Sequence, residues 1–144
     1  MSIARLLFAA LLAWAALLSR AAGAEALLVI ANSSVQIPAP MKLDKLAAIY
    51  LLRITTWPDG RRIVPVNREA LSTARKKFAS EVLGEDNASL AAYWSEMHYK
   101  GKQPPVVQES EQSMLAFVQR VPGAIGYISA STAPDGVHVI AHVP

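Results

Sequence analysis

The 144-residue chain contains no cysteine. That excludes disulfides, thiolate nucleophiles and cysteine metal sites. It also excludes a lipid-anchored lipoprotein, which needs a Cys after its leader. Histidine is scarce, at three residues. His138 and His142 fall four apart on a strand, about 13 Å from one another, too far to share one metal. They read as a solvated strand face. His98 falls near a helix end, where positive charge is favoured. No Ser-His-Asp arrangement can be argued, because nothing brings Ser129 or Ser131 to a His and an acid together. These shortages speak against a metal site and against an enzyme.

A long hydrophobic run is also missing. The apolar stretch Leu6 to Leu18 is shorter than the roughly 20 residues a membrane-spanning helix needs. It follows the basic Arg5 and precedes Ala22-Gly23-Ala24, small residues in the arrangement of a signal-peptidase site. The expectation is a signal peptide over residues 1–24, cleaved after Ala24, and a periplasmic domain over residues 25–144. A retained N-terminal anchor is the alternative. Arg5 and Arg20 belong to the leader, so the net charge of +3 shrinks to +1 beyond it. A nearly neutral domain has no electrostatic footprint for nucleic acid.

What remains reads as alternating elements. EALLVIAN is a continuous apolar run closed by Asn32-Ser33-Ser34, a buried strand. QIPAPMK is an extended connector, because its prolines deny it a helix. LDKLAAIYLLR carries Leu43, Leu46, Ala47, Ile49 and Tyr50 along one helical face. TWPDGRR is a tight turn. RIVPVN is a strand in which Pro65 marks an edge or terminal position. A helix over about 72–83 turns Ala74, Phe78 and Val82 inward and stops at Gly84. A second, about 88–98, aligns Leu90, Tyr93, Trp94 and Met97. KGKQPPVV reads as loop or extended chain. A third helix, about 110–121, opens on Ser110 as N-cap and carries Met114, Phe117, Val118 and Val121. AIGYISAS is a strand with a glycine inside. GVHVIAHVP alternates, with Val137, Val139, Ala141 and Val143 on one face and His138, Ile140 and His142 on the other. The class is α/β with a small mixed sheet flanked by helices.

Several stretches together resemble a known family. LDKLAAIYLLRITTWPDGRRIVPVN, FASEVLG, LAAYWSEMHYKGKQPP and VPGAIGYIS are similar, in that order, to segments of phosphate-type ABC-transporter substrate-binding proteins. The likeness covers roughly residues 40–130. It implies a type II periplasmic-binding-protein-like fold, in which two α/β lobes hold an oxyanion between helix N-termini, hydroxyls, an Arg and often an Asp. The chain is about half the usual length, so the resemblance implies a single lobe. The family's glycine-rich loop is replaced by Asn67-Arg68-Glu69-Ala70-Leu71-Ser72-Thr73, without glycine.

That segment poses the functional question. A helix mouth fed from a strand end is a ready anion site, because its first N–H groups lack intrahelical partners. Arg68, Ser72, Thr73 and Arg75 are the candidate oxyanion-binding residues. In the competing reading Ser72 only caps its own helix by taking the N–H of Arg75. Glu69 would compete with an anion or pair with Arg68 or Arg75. Trp57, Trp94, Tyr99 and Tyr127 read as core or cleft-wall aromatics. Arg75-Lys76-Lys77 reads as a solvated face or a surface for an acidic partner or anionic lipid. Two functions follow. One is capture of phosphate or a similar oxyanion for an ABC permease. The other is an adaptor that kept the fold, lost the site and meets a membrane sensor or porin. A homodimer is a further expectation, since a second copy would complete an open cleft. No cofactor is implied.

Overall fold

The computed structural model describes residues 25–144. The expected leader, residues 1–24, lies outside the described residues. The elements run β1 (Leu27–Asn32), α1 (Leu43–Tyr50), β2 (Val64–Arg68), α2 (Thr73–Phe78, continued by a π-helical turn Ala79–Leu83), α3 (Asn87–Tyr99), β3 (Val106–Gln108), α4 (Glu111–Arg120), β4 (Ala124–Ser129) and β5 (Val137–Val143). The strands form one mixed sheet in the order β3-β2-β4-β1-β5. β2 runs parallel to β3 and β4, while β1 runs antiparallel to β4 and β5.

The unbroken apolar character of β1 and β4 follows from burial on both faces. Leu27, Val29, Ala31, Ile125 and Tyr127 face α1 and α2, meeting Leu46, Ile49, Tyr50, Phe78 and Val82. Ile30, Ala124 and Ile128 face α4, meeting Met114 and Val118. Gly126 is glycine for this reason: a Cβ there would stand 2.5 Å from Met114 Sδ. Buried Asn32 donates its amide to the Val118 and Gln119 carbonyls, at 2.7 and 3.0 Å, satisfying carbonyls that the end of α4 leaves unpaired.

The helix boundaries follow local chemistry. Ser72, Asp86 and Ser110 each cap the helix that follows. Ser110 and Ser113 complete a reciprocal capping box. Gly84 ends the second helix at φ +65°. The two stretches Trp57-Pro58-Asp59-Gly60 and Pro122-Gly123-Ala124 meet: Trp57 Nε1 donates to the Gly123 carbonyl at 2.9 Å.

Several sequence expectations are refined or corrected. The end of KGKQPPVV takes the extended of its two readings: Val106–Gln108 form β3, the outermost strand. β2 is therefore not an edge. Pro65 is tolerated because it pairs with Ile125 of β4, while β3 begins only opposite Val66. The alternation of β5 breaks at a bulge, where Val29 pairs Ala141 but Ile30 pairs Val139. Ile140 is the extra residue, and it joins Ala141 and Val143 in the α1 core, while Val137 and Val139 pack on the α4 side. His138 and His142 consequently lie on opposite faces, opposite Ala31 and Leu28. His138 Nδ1 lies 3.1 Å from the Val35 carbonyl. Leu43 and Tyr99 point outward, Tyr99 being 92% exposed, so Tyr99 is neither core nor cleft wall.

Candidate functional site

The chain leaves β2 for the face covered by α2, and leaves β3 for the opposite face covered by α4. Adjacent strands whose exits diverge in this way open a crevice at their C-terminal ends, where α/β proteins place ligands. Such a crevice of about 450 Å³ is present. Arg68 and Glu69 come from the end of β2, and Ser72, Thr73 and Ala74 from the mouth of α2. Across from them stand Glu109, Ser110, Glu111 and Gln112 at the mouth of α4. Ser129 closes β4, Leu27 begins β1 and Glu25 lies two residues before it.

Three of the four candidate residues share this crevice. Arg68 lies at its floor, held from behind: its backbone N–H donates to the Tyr127 hydroxyl at 3.2 Å, and that hydroxyl donates to Asn67 Oδ1. Phe78 stacks on Tyr127 with centroids 4.2 Å apart. Burial pushes the Tyr127 phenol up to about 12. Ser72 caps α2, its Oγ accepting the Arg75 N–H at 3.0 Å, so that hydroxyl's acceptor role is taken. Thr73 is exposed at the rim. Arg75 is not brought to the crevice. Its guanidinium turns back, and Nη1 donates to the Arg68 carbonyl at 2.7 Å, while Nε is buried without a partner.

The donors of the crevice are held by the protein's own carboxylates. Glu69 takes Arg68 in a fork, with Nε at 3.0 Å and Nη2 at 3.1 Å. Arg68 in turn holds the Glu69 carboxyl below its ordinary range. Glu111 accepts the Ser129 N–H with one oxygen, and the Thr132 hydroxyl at 2.7 Å with the other. Hydrogen bonds from Ser129 and Ser131 lower the Glu25 carboxyl. Sequence reasoning missed the α4 wall and the Glu111 contacts. The Ser110 cap was legible, but without β3 nothing placed it opposite Arg68. Among the described residues no group of three or more His, Asp or Glu is placed to hold a metal, and no helix is long and apolar enough to cross a membrane.

This is an α/β fold of the periplasmic-binding-protein type, with its crevice at the strand ends. Solved structures with the same fold include an ABC-type phosphate transport receptor from Vibrio cholerae, with TM-score 0.63 and 22% identity over 81% of this chain and 46% of that one. A substrate-binding protein of a phosphate ABC transporter from Clostridium perfringens, solved with bound phosphate, gives 0.63 and 24% over 81% and 45%. PstS from Borrelia burgdorferi gives 0.64 and 18% over 81% and 47%. The chain thus spans less than half the length of each. Solved structures that share the fold thus include members of the family that the sequence motifs resemble. No protein-family model and no curated protein matches the chain.

Proposed function

We propose that this protein is an exported solute-binding protein of the phosphate-receptor type, acting in the periplasm after cleavage of residues 1–24. It captures phosphate or a similar oxyanion reversibly at the crevice and presents it to an ABC permease. Binding without chemistry is the role, and the positioning donors of the crevice support it. The observation that carries the reading is the crevice at the exits of β2 and β3, where Arg68 faces the mouths of α2 and α4. Helix mouths and a guanidinium fork are the groups that hold a tetrahedral oxyanion.

One feature favours a second reading, an adaptor that kept the fold and gave up the ligand. Glu69 and Glu111 occupy donors that an oxyanion would use. Isothermal titration of residues 25–144 with inorganic phosphate separates the two. On the first reading wild type binds and Arg68→Ala abolishes the heat. Glu69→Gln tightens binding about tenfold, since one charge-assisted fork no longer has to be displaced. Absence of heat from both wild type and Glu69→Gln at millimolar phosphate overturns phosphate capture and leaves the adaptor reading.

A further inference from the structure

The crevice is short of free positive charge. Its lining holds four carboxylates, Glu25, Glu69, Glu109 and Glu111, against the single guanidinium of Arg68, and Glu69 already occupies that guanidinium. An oxyanion in such a place needs a further cation. The start of β1 is positioned to supply one. The Ala26 carbonyl accepts the Ala130 N–H at 2.8 Å, and Leu27 is paired on both sides, with Ser129 and Val143. The chain is therefore fixed to within one residue of Glu25. Glu25 itself lines the crevice, as Ser129 does.

We propose that cleavage after Ala24 leaves the α-ammonium of Glu25 in this crevice, where the surrounding glutamates hold it and it faces a bound oxyanion. Hydrolysis by a signal peptidase breaks the Ala24–Glu25 amide. The oxygen of water joins the Ala24 acyl carbon. The Glu25 nitrogen leaves as an amine that takes up the proton released by the new carboxyl group. Maturation thereby adds one positive charge to the site, and the uncleaved chain lacks it. The placement rests on the fold and on cleavage after Ala24; the role toward an oxyanion rests on the function proposed above.

The groups around the new terminus set its titration. Glu25 contributes its own carboxylate, β2 and its exit bring Arg68 and Glu69, and the approach to α4 brings Glu109 and Glu111. The end of β4 and the mouth of α2 bring only hydroxyls, Ser129, Ser72 and Thr73. β5, the other neighbour of β1, brings Val143 opposite Leu27. Carboxylates predominate, so the ammonium is favoured and its pKa rises above the ordinary value of about 8. Its charge is present below that raised value and is lost as pH climbs through it.

Two preparations test this: residues 25–144 with Glu25 as the native N-terminus, and the same protein preceded by Ser-Gly. The extension moves the amino group by about 7 Å. An NMR titration of the native terminus is expected to give an α-amino pKa above about 8, and a value at or below about 7.7 overturns the proposal. Inorganic phosphate is expected to bind the extended form about fivefold more weakly at low ionic strength, where such charge interactions are least screened. Equal affinity overturns the ammonium's role. A raised pKa with no phosphate bound by either form keeps the ammonium in place and removes the oxyanion reading. Mass spectrometry of the exported protein showing a terminus other than Glu25 sinks the proposal outright.

Discussion

The Tyr127 hydroxyl joins the core to the crevice. It accepts from the Arg68 N–H and donates to buried Asn67, so the backbone that presents Arg68 is fixed through a buried phenol. Tyr50 beside it donates to the Val66 carbonyl at 2.9 Å, and burial raises its pKa as well. Both folded-state values exceed the unfolded ones, so the stability they carry is whole below pH 10 and falls as pH rises. For Tyr127 the loss runs from the ordinary 10.0 to about 12 and reaches about 3 kcal/mol in that window. Urea melts at pH 9, 10, 11 and 12 are expected to show this fall. Tyr127→Phe is expected to flatten the fall and to cost about 1–3 kcal/mol at pH 7, since it leaves Asn67 Oδ1 buried and unpaired.

At the scale of elements, the turn before β4 locks the turn before β2. The Gly123 carbonyl accepts from Trp57 Nε1 and from the Val64 N–H at 3.1 Å. Gly123 sits at φ +80°, and a Cβ there would come within 2.3 Å of the Arg62 carbonyl oxygen. Gly123→Ala meets both strain and a backbone clash and is expected to cost roughly 3 kcal/mol or more. Gly60, at φ +85° in open space, makes the control. Gly60→Ala bears only the left-handed backbone, about 1–2 kcal/mol. Chemical denaturation of the two variants measures the difference. Both turns were legible from their Pro, Asp and Gly residues. The bond between them was not, because it joins positions 57 and 123.

For the whole molecule, two cores lie on opposite faces of one sheet and share β1 and β4. Neither core survives loss of those strands, so residues 25–144 are expected to unfold as one unit, with calorimetric and van't Hoff enthalpies equal. A ratio well above one would show that the α4 layer melts separately. The sequence by itself determined the helices, the caps Ser72 and Ser110, the buried strands and the turns. Of its four oxyanion candidates, Arg68, Ser72 and Thr73 line the crevice and Arg75 does not, because strand tails and helix mouths are written in neighbouring residues while the turn of a long side chain is not. Its period and capping signals are local, reaching three or four positions along the chain. Only the tertiary structure decided the rest. β3 is a strand because β2 lies beside it, since three residues carry too little pattern to declare themselves. The bulge at Ile140 arises from pairing with β1, and it sends the two histidines to opposite faces. The carboxylates that hold the crevice donors were decided at the same level. Glu111 reaches Ser129 and Thr132 across some twenty positions of sequence, a contact created by packing α4 on the sheet and one that no local pattern encodes.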